Sequence, residues 1–434
     1  MVVTRAPSEP FSVVRPTLDA MLAQRFPHDT WLADEDPTEE VERWCVEHGV
    51  FISTRKNAAD YHRDCWPRRA KCKEGNLAYF YDHYGYDLYD FVAQLDADHV
   101  PEAGYLEAIL RPFLDDTVGY VSAPSICDKN ASTSWTARGR LFSEAVMHGP
   151  LQSGYSDGFA PLCIGSHYAV RTTALRHIGG LGPELAEDHS TTLLMNACGW
   201  RGVHSPDALA HGDGPATLAD CITQEFQWSR SLVVILLTVL PKCWGRLSWR
   251  LRVQFLFSEL WYPLFGGSML LGVILPVWAI LTRQPWVNVS YAQFLVHTLP
   301  LCGLSIAVQA YLKRLQLLRP VAVPLLNWEV GLFQLIRWPW VVIGTLAGVW
   351  VAVRNAPLTF RVTPKGECPS ACLSWRLLNP YVAIVVATFL PLLLVPHAGA
   401  AHGYYFFLIF DQVLYTSALL AIVLIHYHET TQRC

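Results

Sequence analysis

The sequence predicts an α/β domain with a mostly parallel sheet over residues 1–245, followed by an α-helical membrane domain over residues 246–434. Three observations carry this. Through the first half, short β-rich runs alternate with helix-patterned segments, the pattern of a mostly parallel sheet covered by helices. Of the 434 residues, 52% are apolar and only 16% charged, and nearly all of the 37 acidic residues lie before residue 230. Beyond residue 246 the apolar residues gather in runs that match the roughly 20 residues a bilayer crossing needs.

The strand candidates come in order. They are residues 2–4, 30–34 (TWLAD), 49–54 (GVFIST), 90–96 (DFVAQLD) and 118–124 (VGYVSAP). Between the first two, Val14, Leu18, Met21 and Leu22 recur at helical spacing. In such sheets ligands bind beyond the carboxyl ends of the strands. Four segments are expected to cross the membrane, at about 260–282, 291–312, 377–396 and 404–427. A fifth apolar stretch, 328–353, contains Glu329, Arg337 and Pro339. The segment around it collects Lys313, Arg314, Arg319, Arg337, Arg354, Arg361, Lys365 and Arg376. Cytoplasmic segments collect Lys and Arg, so this stretch is expected to lie along the interface, with both chain ends in the cytosol.

A formal net charge of −4 offers no basic field for nucleic acid, and no nucleic-acid partner is expected. The N-terminus, MVVTRAPSEPF, lacks a basic segment followed by an apolar core, so it does not read as a signal peptide. Twelve scattered cysteines fit a reducing compartment. Cys368 and Cys372 lack a second ligand pair nearby and read as ordinary thiols.

The chemistry starts at FVAQLDADHVP, residues 91–101. Side chains at i and i+2 of an extended segment point the same way. Asp96 and Asp98 therefore aim at one spot beyond a strand, where two hard oxygen donors suit Mg²⁺ or Mn²⁺. A solvated acidic turn would look the same. Three further stretches weigh against that. AEDHSTTLLMNACGW (186–200) sets Glu187 and Asp188 at the mouth of an apolar helix, where an N-terminal cap is the plainer explanation. TQEFQWSRS (223–231) carries Gln224, Trp228 and Arg230 on one helix, and LTFRVTPKGE (358–367) falls in a polar loop between apolar segments.

Taken in order, these stretches resemble the processive family 2 glycosyltransferases, and among them the catalytic subunit of bacterial cellulose synthase. Thr4 and Glu9-Pro10 match the first strand and loop, Asp34-Glu35 an acidic pair, and KEGNL (73–77) a Lys- and Gly-containing turn. Asp96-Ala97-Asp98 matches the DxD, Gly165-Ser166 the small acceptor-side residues, and Glu187-Asp188 the final acidic pair. Gln224 to Trp228 matches QxxRW, and FRVTPKG (360–366) the gating-loop motif within 357–372. The chain departs from the family in three respects. Gln227 stands where the family has Arg, Glu35 replaces an Asp, and neither upstream membrane helices nor a cyclic-di-GMP-binding PilZ domain is in the sequence.

The resemblance implies a GT-A fold and an inverting transfer from a UDP-sugar, with UDP-glucose favoured, to a growing β-linked polysaccharide. It implies that Asp188 is the base. Asp34, Lys73, Gly75, Asp96 and Asp98 would bind the nucleotide sugar, with Asp98 on the metal. Glu187, Gln224 and Trp228 would bind the acceptor. Phe360, Val362, Thr363, Lys365 and Gly366 would form a lid, and Arg230 could contact the diphosphate in place of the missing Arg. It further implies a multi-pass protein of the inner cell membrane with its catalytic domain cytoplasmic, and it allows an export or periplasmic accessory subunit. A non-processive transferase acting on a lipid, or a non-catalytic export or scaffold subunit, would share part of this pattern.

Overall fold

A computed structural model of the chain describes residues 1–70, 72–287, 290–354, 356 and 373–433. Its first half is built on β1 (Val2–Arg5), β2 (Trp31–Asp34), β3 (Phe51–Ser53), β4 (Phe91–Asp96), β5 (Val100–Pro101), β6 (Val118–Ser122), β7 (Ser125–Ile126), β8 (His167–Arg171), β9 (Arg201–His204) and β10 (Ala210–His211). Seven of these form one sheet in the order β3-β2-β1-β4-β8-β6-β9. All neighbours in it are parallel except those of β8, which runs against both β4 and β6. The remaining three form a small sheet, β5-β10-β7. All five strand candidates of the sequence are present.

Helices cover both faces of the large sheet. On one side Val14, Leu18 and Met21 of the helix Phe11–Leu22 are fully buried against Val3, Leu32 and Leu95. Each such side chain contributes about 1.5–3 kcal/mol of burial. Leu22, expected on the same face, is exposed instead. On the other side Leu77, Phe80 and Tyr81 pack on Val2, Trp31, Ala33 and Val92. The chain order reverses between β1 and β4 at the sheet's centre, the point beyond whose carboxyl ends such sheets bind ligands.

Five later helices are long and apolar enough to cross a membrane by length and composition: Trp249–Thr282, Tyr291–Arg314, Trp328–Arg354, Trp375–Leu394 and the run Tyr404–Thr431. Four of them alternate in direction. The first begins at the α/β domain, where the Gln254 amide donates to Ala160 O at 2.7 Å and accepts from Ala160 N at 2.9 Å. The second ends there, with Leu312 packed against Leu318, Val323 and Ala145. Leu378 and Tyr381, early in Trp375–Leu394, pack with Trp135 and Leu218. Glu429, late in the last helix, accepts from the Trp135 backbone N–H at 2.7 Å. At the opposite ends, Ala279, Ile280, Val395, Ala398, Ala401 and Leu408 form a separate cluster.

Trp328–Arg354 behaves differently, because it touches the α/β domain near both its ends. Glu329 accepts from Arg138 Nε at 2.8 Å. Further along, a Cβ on Gly344 would lie 2.0 Å from Ser229 Oγ, and one on Gly348 would lie 2.7 Å from Arg230 O. The Gly-xxx-Gly spacing lets two helix backbones meet closely. Mid-helix, Trp338 Nε1 donates to the Tyr415 hydroxyl at 3.0 Å.

Candidate active site

The site lies where β4 ends. Asp96 is half-buried and Asp98 almost fully buried. His99 follows, and ligand atoms of Asp96, Asp98 and His99 all lie within 4.8 Å of one another. Asp98 is held from the small sheet's side: its Oδ2 accepts from Asp213 N at 3.0 Å, and its Oδ1 lies 3.4 Å from His99 Nδ1. Burial opposes a charge on His99, but the neighbouring Asp98 outweighs it and raises the imidazole to about 10. Two carboxylates at this spacing fit a divalent cation, and the imidazole joins them only by giving up that proton.

Lys73 joins this cluster to the acidic pair. KEGNL, expected as a turn on the uridine side, forms the first turn of the helix Lys73–Phe80. Lys73 Nζ donates to Asp96 Oδ1 at 2.7 Å and to Gly165 O at 2.5 Å. The Gly165 backbone in turn stands against the Asp188 carboxylate and favours its charged form. Gly165 therefore bridges the two halves of the site, and a Cβ there would sit 3.1 Å from Asp188 Oδ2. Gly75 has a packing role: a Cβ would meet Arg69 O at 1.9 Å and Arg55 Nη1 at 2.2 Å.

Glu187 and Asp188 open the helix Glu187–Ala197. Burial pushes both carboxyls up. For Glu187 the Asp188 charge adds to this, and for Asp188 neighbouring His189 and Lys73 oppose it. Oε1 of Glu187 is buried and has no hydrogen-bond partner among the described residues. Asp34 lies at the end of β2, fully buried; its carboxylate accepts from Arg5 Nη1 at 2.7 Å and from Asp36 N at 3.0 Å. Glu35 pairs with Arg55.

The helix Leu218–Val234 carries Gln224, Gln227, Trp228 and Arg230. Gln224 Oε1 accepts from Arg140 Nη1 at 2.9 Å, and the same guanidinium stands over the Trp228 ring. Arg230 lies over Phe226, 5.6 Å from its ring centroid, and beside Glu184. The lid residues Phe360, Val362, Thr363, Lys365 and Gly366 lie outside the described residues, as do Cys368 and Cys372. Nine cysteines within the described residues are free.

Sequence reasoning missed His99, Arg140 and Arg5. His99 follows the DxD directly and was within reach. Arg140 and Arg5 come to their partners only through the tertiary fold.

A family model described as glycosyl transferase family group 2 matches residues 91–395. The chain is similar to the cellulose synthase catalytic subunit (UDP-forming) of Xanthomonas axonopodis pv. citri, 28% identical over 241 residues, 52% of this chain and 30% of the relative. It is similar to the subunit of the same description from Pseudomonas fluorescens, 24% identical over 403 residues, 89% of this chain and 50% of the relative. The chain thus spans half or less of the length of these relatives. Among solved structures, a mannosyltransferase from Pyrobaculum calidifontis in complex with GDP-Man and Mn²⁺ superposes with a TM-score of 0.51. That match is 14% identical and covers 80% of this chain and 86% of that one. At that identity the likeness speaks for the fold, a GT-A domain with a mostly parallel sheet.

Proposed function

Because the chain belongs to glycosyl transferase family group 2, we propose that it is a membrane-embedded, inverting hexosyltransferase. It would polymerise a β-linked glucan from UDP-glucose and pass the product across the membrane. The observation that carries this reading is the link from Asp96 through Lys73 and Gly165 to Asp188. It joins a cation-competent DxD to a carboxylate suited to take a proton. The similarity to cellulose synthase catalytic subunits supports the choice of a UDP-sugar and a glucan.

Asp96, Asp98 and His99 would hold Mg²⁺ or Mn²⁺. When bound, the cation supplies positive charge against the donor's diphosphate. The chain's own residues do the rest. Asp188 takes the proton from the acceptor hydroxyl. The freed oxygen attacks the anomeric carbon, the bond from that carbon to the diphosphate oxygen breaks, and UDP leaves with the electron pair. One displacement inverts the centre, so an α-linked donor gives a β-linked product. Lys73 keeps its charge beside the departing diphosphate: burial opposes that charge, but Asp96, Glu187 and Asp188 together raise the amine. The first turn of the Lys73 helix faces the nucleotide, with Gly75 letting that turn pack closely, and Asp34, buried in its pair with Arg5, supports that side from beneath. Glu187 and Gln224 take acceptor hydroxyls, and Trp228 offers a flat apolar face to the terminal sugar. Thr363 and Lys365, within FRVTPKG, would close over the nucleotide as a lid.

Four helices cross, and Trp328–Arg354 lies along the membrane face of a cytoplasmic catalytic domain. Its contacts with that domain near both ends support this arrangement. The test of the whole reading is direct. Purified protein in detergent with UDP-glucose should release UDP and form a polymer that a β-glucan-specific hydrolase degrades. Absence of UDP release with every UDP-sugar would sink it.

A further inference from the structure

A buried acid on the first long apolar helix reaches the helix that carries Asp188. Glu259 has no exposed side-chain surface, and its Oε1 lies 2.8 Å from Nε2 of His189, itself 10% exposed. Among the described residues His189 is the only charged neighbour of that carboxylate, met at ion-pair distance and not as an aligned hydrogen bond, and neither Oε1 nor Oε2 has a hydrogen-bond partner. One turn earlier on the same helix, Phe255 meets the His189 ring edge-on, centroids 6.4 Å apart. Gln254 next to it clamps both backbone groups of Ala160. This end of the helix is therefore fixed in the α/β domain by Gln254, Phe255 and Glu259. His189 is the residue after Asp188, and its backbone N–H donates to Asp188 Oδ1 at 2.8 Å.

Burying a carboxylate with a single charged neighbour is costly. Keeping one at this place calls for a return elsewhere, and the imidazole beside Asp188 is the group it touches. We propose that Glu259 is a positioning residue for the transfer reaction, acting through His189 to orient and charge-balance Asp188, so that the first membrane helix and the catalytic base are set as one unit. This rests on Asp188 being the base.

The charges facing each group settle the expected direction. His189 faces Glu259 from the membrane helix, Asp188 on its own helix and Glu184 from the segment before it. Burial disfavours the imidazolium and these three acids outweigh that. Asp188 faces His189, Lys73 and the Gly165 backbone, which favour its ionised form, and the carboxylate of Glu187, which disfavours it. Removing the Glu259 charge lets His189 lose its proton. Asp188 then loses a neighbouring cation and ionises at higher pH. The acid limb of the rate profile should therefore move upward.

The experiment compares UDP release from UDP-glucose across pH for wild type, Glu259→Gln, Glu259→Asp, His189→Gln and Asp188→Asn, with UDP binding measured alongside. Glu259→Gln and His189→Gln should each lower turnover about ten- to a hundredfold, as loss of a charge-assisted contact does. Both should move the acid limb to higher pH and leave UDP affinity intact, and Glu259→Asp should recover part of both effects. Wild-type turnover in Glu259→Gln overturns the proposal. So does a loss of turnover with no movement of the acid limb and no recovery in Glu259→Asp. If Glu259→Gln no longer binds UDP, His189→Gln decides by the same criteria, and an unmoved limb there overturns it too. Asp188→Asn separates the two claims: full turnover in that variant removes Asp188 as base, while an inactive Asp188→Asn beside an unaffected Glu259→Gln removes only the role of Glu259.

Discussion

The guanidinium carbon of Arg140 lies 4.4 Å from the centroid of the Trp228 ring, and its Nη1 donates to Gln224 one turn away. One arginine from the helix Trp135–Ser143 thus holds both residues of the helix Leu218–Val234 that are proposed to meet the acceptor. A cation over an indole contributes about 0.5–2 kcal/mol, and a charged hydrogen bond about 1.5–3 kcal/mol. Arg140→Met should therefore weaken use of added acceptor oligosaccharide by about tenfold or more, leaving UDP affinity unchanged. Trp228→Ala should act in the same direction, and the double variant should fall short of the sum, since the two side chains share one contact. Initial rates against acceptor concentration check this, and an Arg140→Met profile matching wild type would detach Arg140 from the acceptor.

Asp188→Asn should abolish transfer while retaining UDP binding, because an amide keeps the shape and cannot take the acceptor proton. In wild type, burial raises the Asp188 carboxyl, and His189 and Lys73 only partly offset it. Below a raised pKa the base carries its proton already, so turnover should fall as pH drops. The fall should begin above the ordinary aspartate range near about 4. A rate that stays flat down to that range would show that the proton goes elsewhere.

Gly165→Ala tests the bridge between the two halves of the site. Its Cβ would stand 3.1 Å from Asp188 Oδ2, which obliges the carboxylate to give way by a few tenths of an ångström. Turnover should drop about ten- to a hundredfold, since small displacements of reacting groups are costly, with thermal stability and UDP binding close to wild type. Unchanged turnover would mean that Asp188 tolerates the shift and that the bridge does not set its position.

Chelation by excess EDTA should stop UDP release, and Mn²⁺ or Mg²⁺ should restore it. Asp98→Asn is the matching variant. It keeps an oxygen for the Asp213 N–H and removes the charge that a hard cation needs. Calorimetric titration with Mn²⁺ should show binding to wild type and little to Asp98→Asn. Full activity in EDTA would assign the Asp96–Asp98–His99 cluster another purpose.

How much of this was legible in the sequence depends on what each residue needs in order to be recognised. The strands ending at Asp34 and Asp96 were legible because apolar runs end in acids, and the acidic pair because it opens an apolar helix. β8 was not, since His167 to Val170 are all buried and a strand covered on both faces has no polar–apolar alternation. Lys73 was found, but its reach to Asp96 was not, because a long flexible side chain selects its partner only in the folded site. Arg140 carried no local signal, as its partners lie in another helix 84 residues along the chain. Glu259 resembled a stray acid at the start of an apolar run, and only its contact with His189 distinguishes it.

Helices Trp249–Thr282 and Trp375–Leu394 begin at the α/β domain, and Tyr291–Arg314 and Tyr404–Arg433 end there. Helix Trp328–Arg354 meets the domain near both ends, so a crossing would have to pull one end away from it. Lys313, Arg314, Arg319, Arg354 and Arg376 would all remain on one side if it does not cross, in keeping with the tendency of basic residues to stay cytoplasmic. Single cysteines at Ser290 and Ser374 separate the arrangements, in a background where Cys65 and Cys302, exposed among the described residues, and also Cys368, Cys372 and Cys434 have been replaced. A membrane-impermeant thiol reagent added to intact cells should modify Ser290→Cys, which sits at the start of the second crossing. Ser374→Cys should react only after the membrane is opened, because an interfacial Trp328–Arg354 keeps the chain on the catalytic side. If Ser374→Cys reacts from outside, Trp328–Arg354 crosses, and the chain must reach the catalytic side again by a different path.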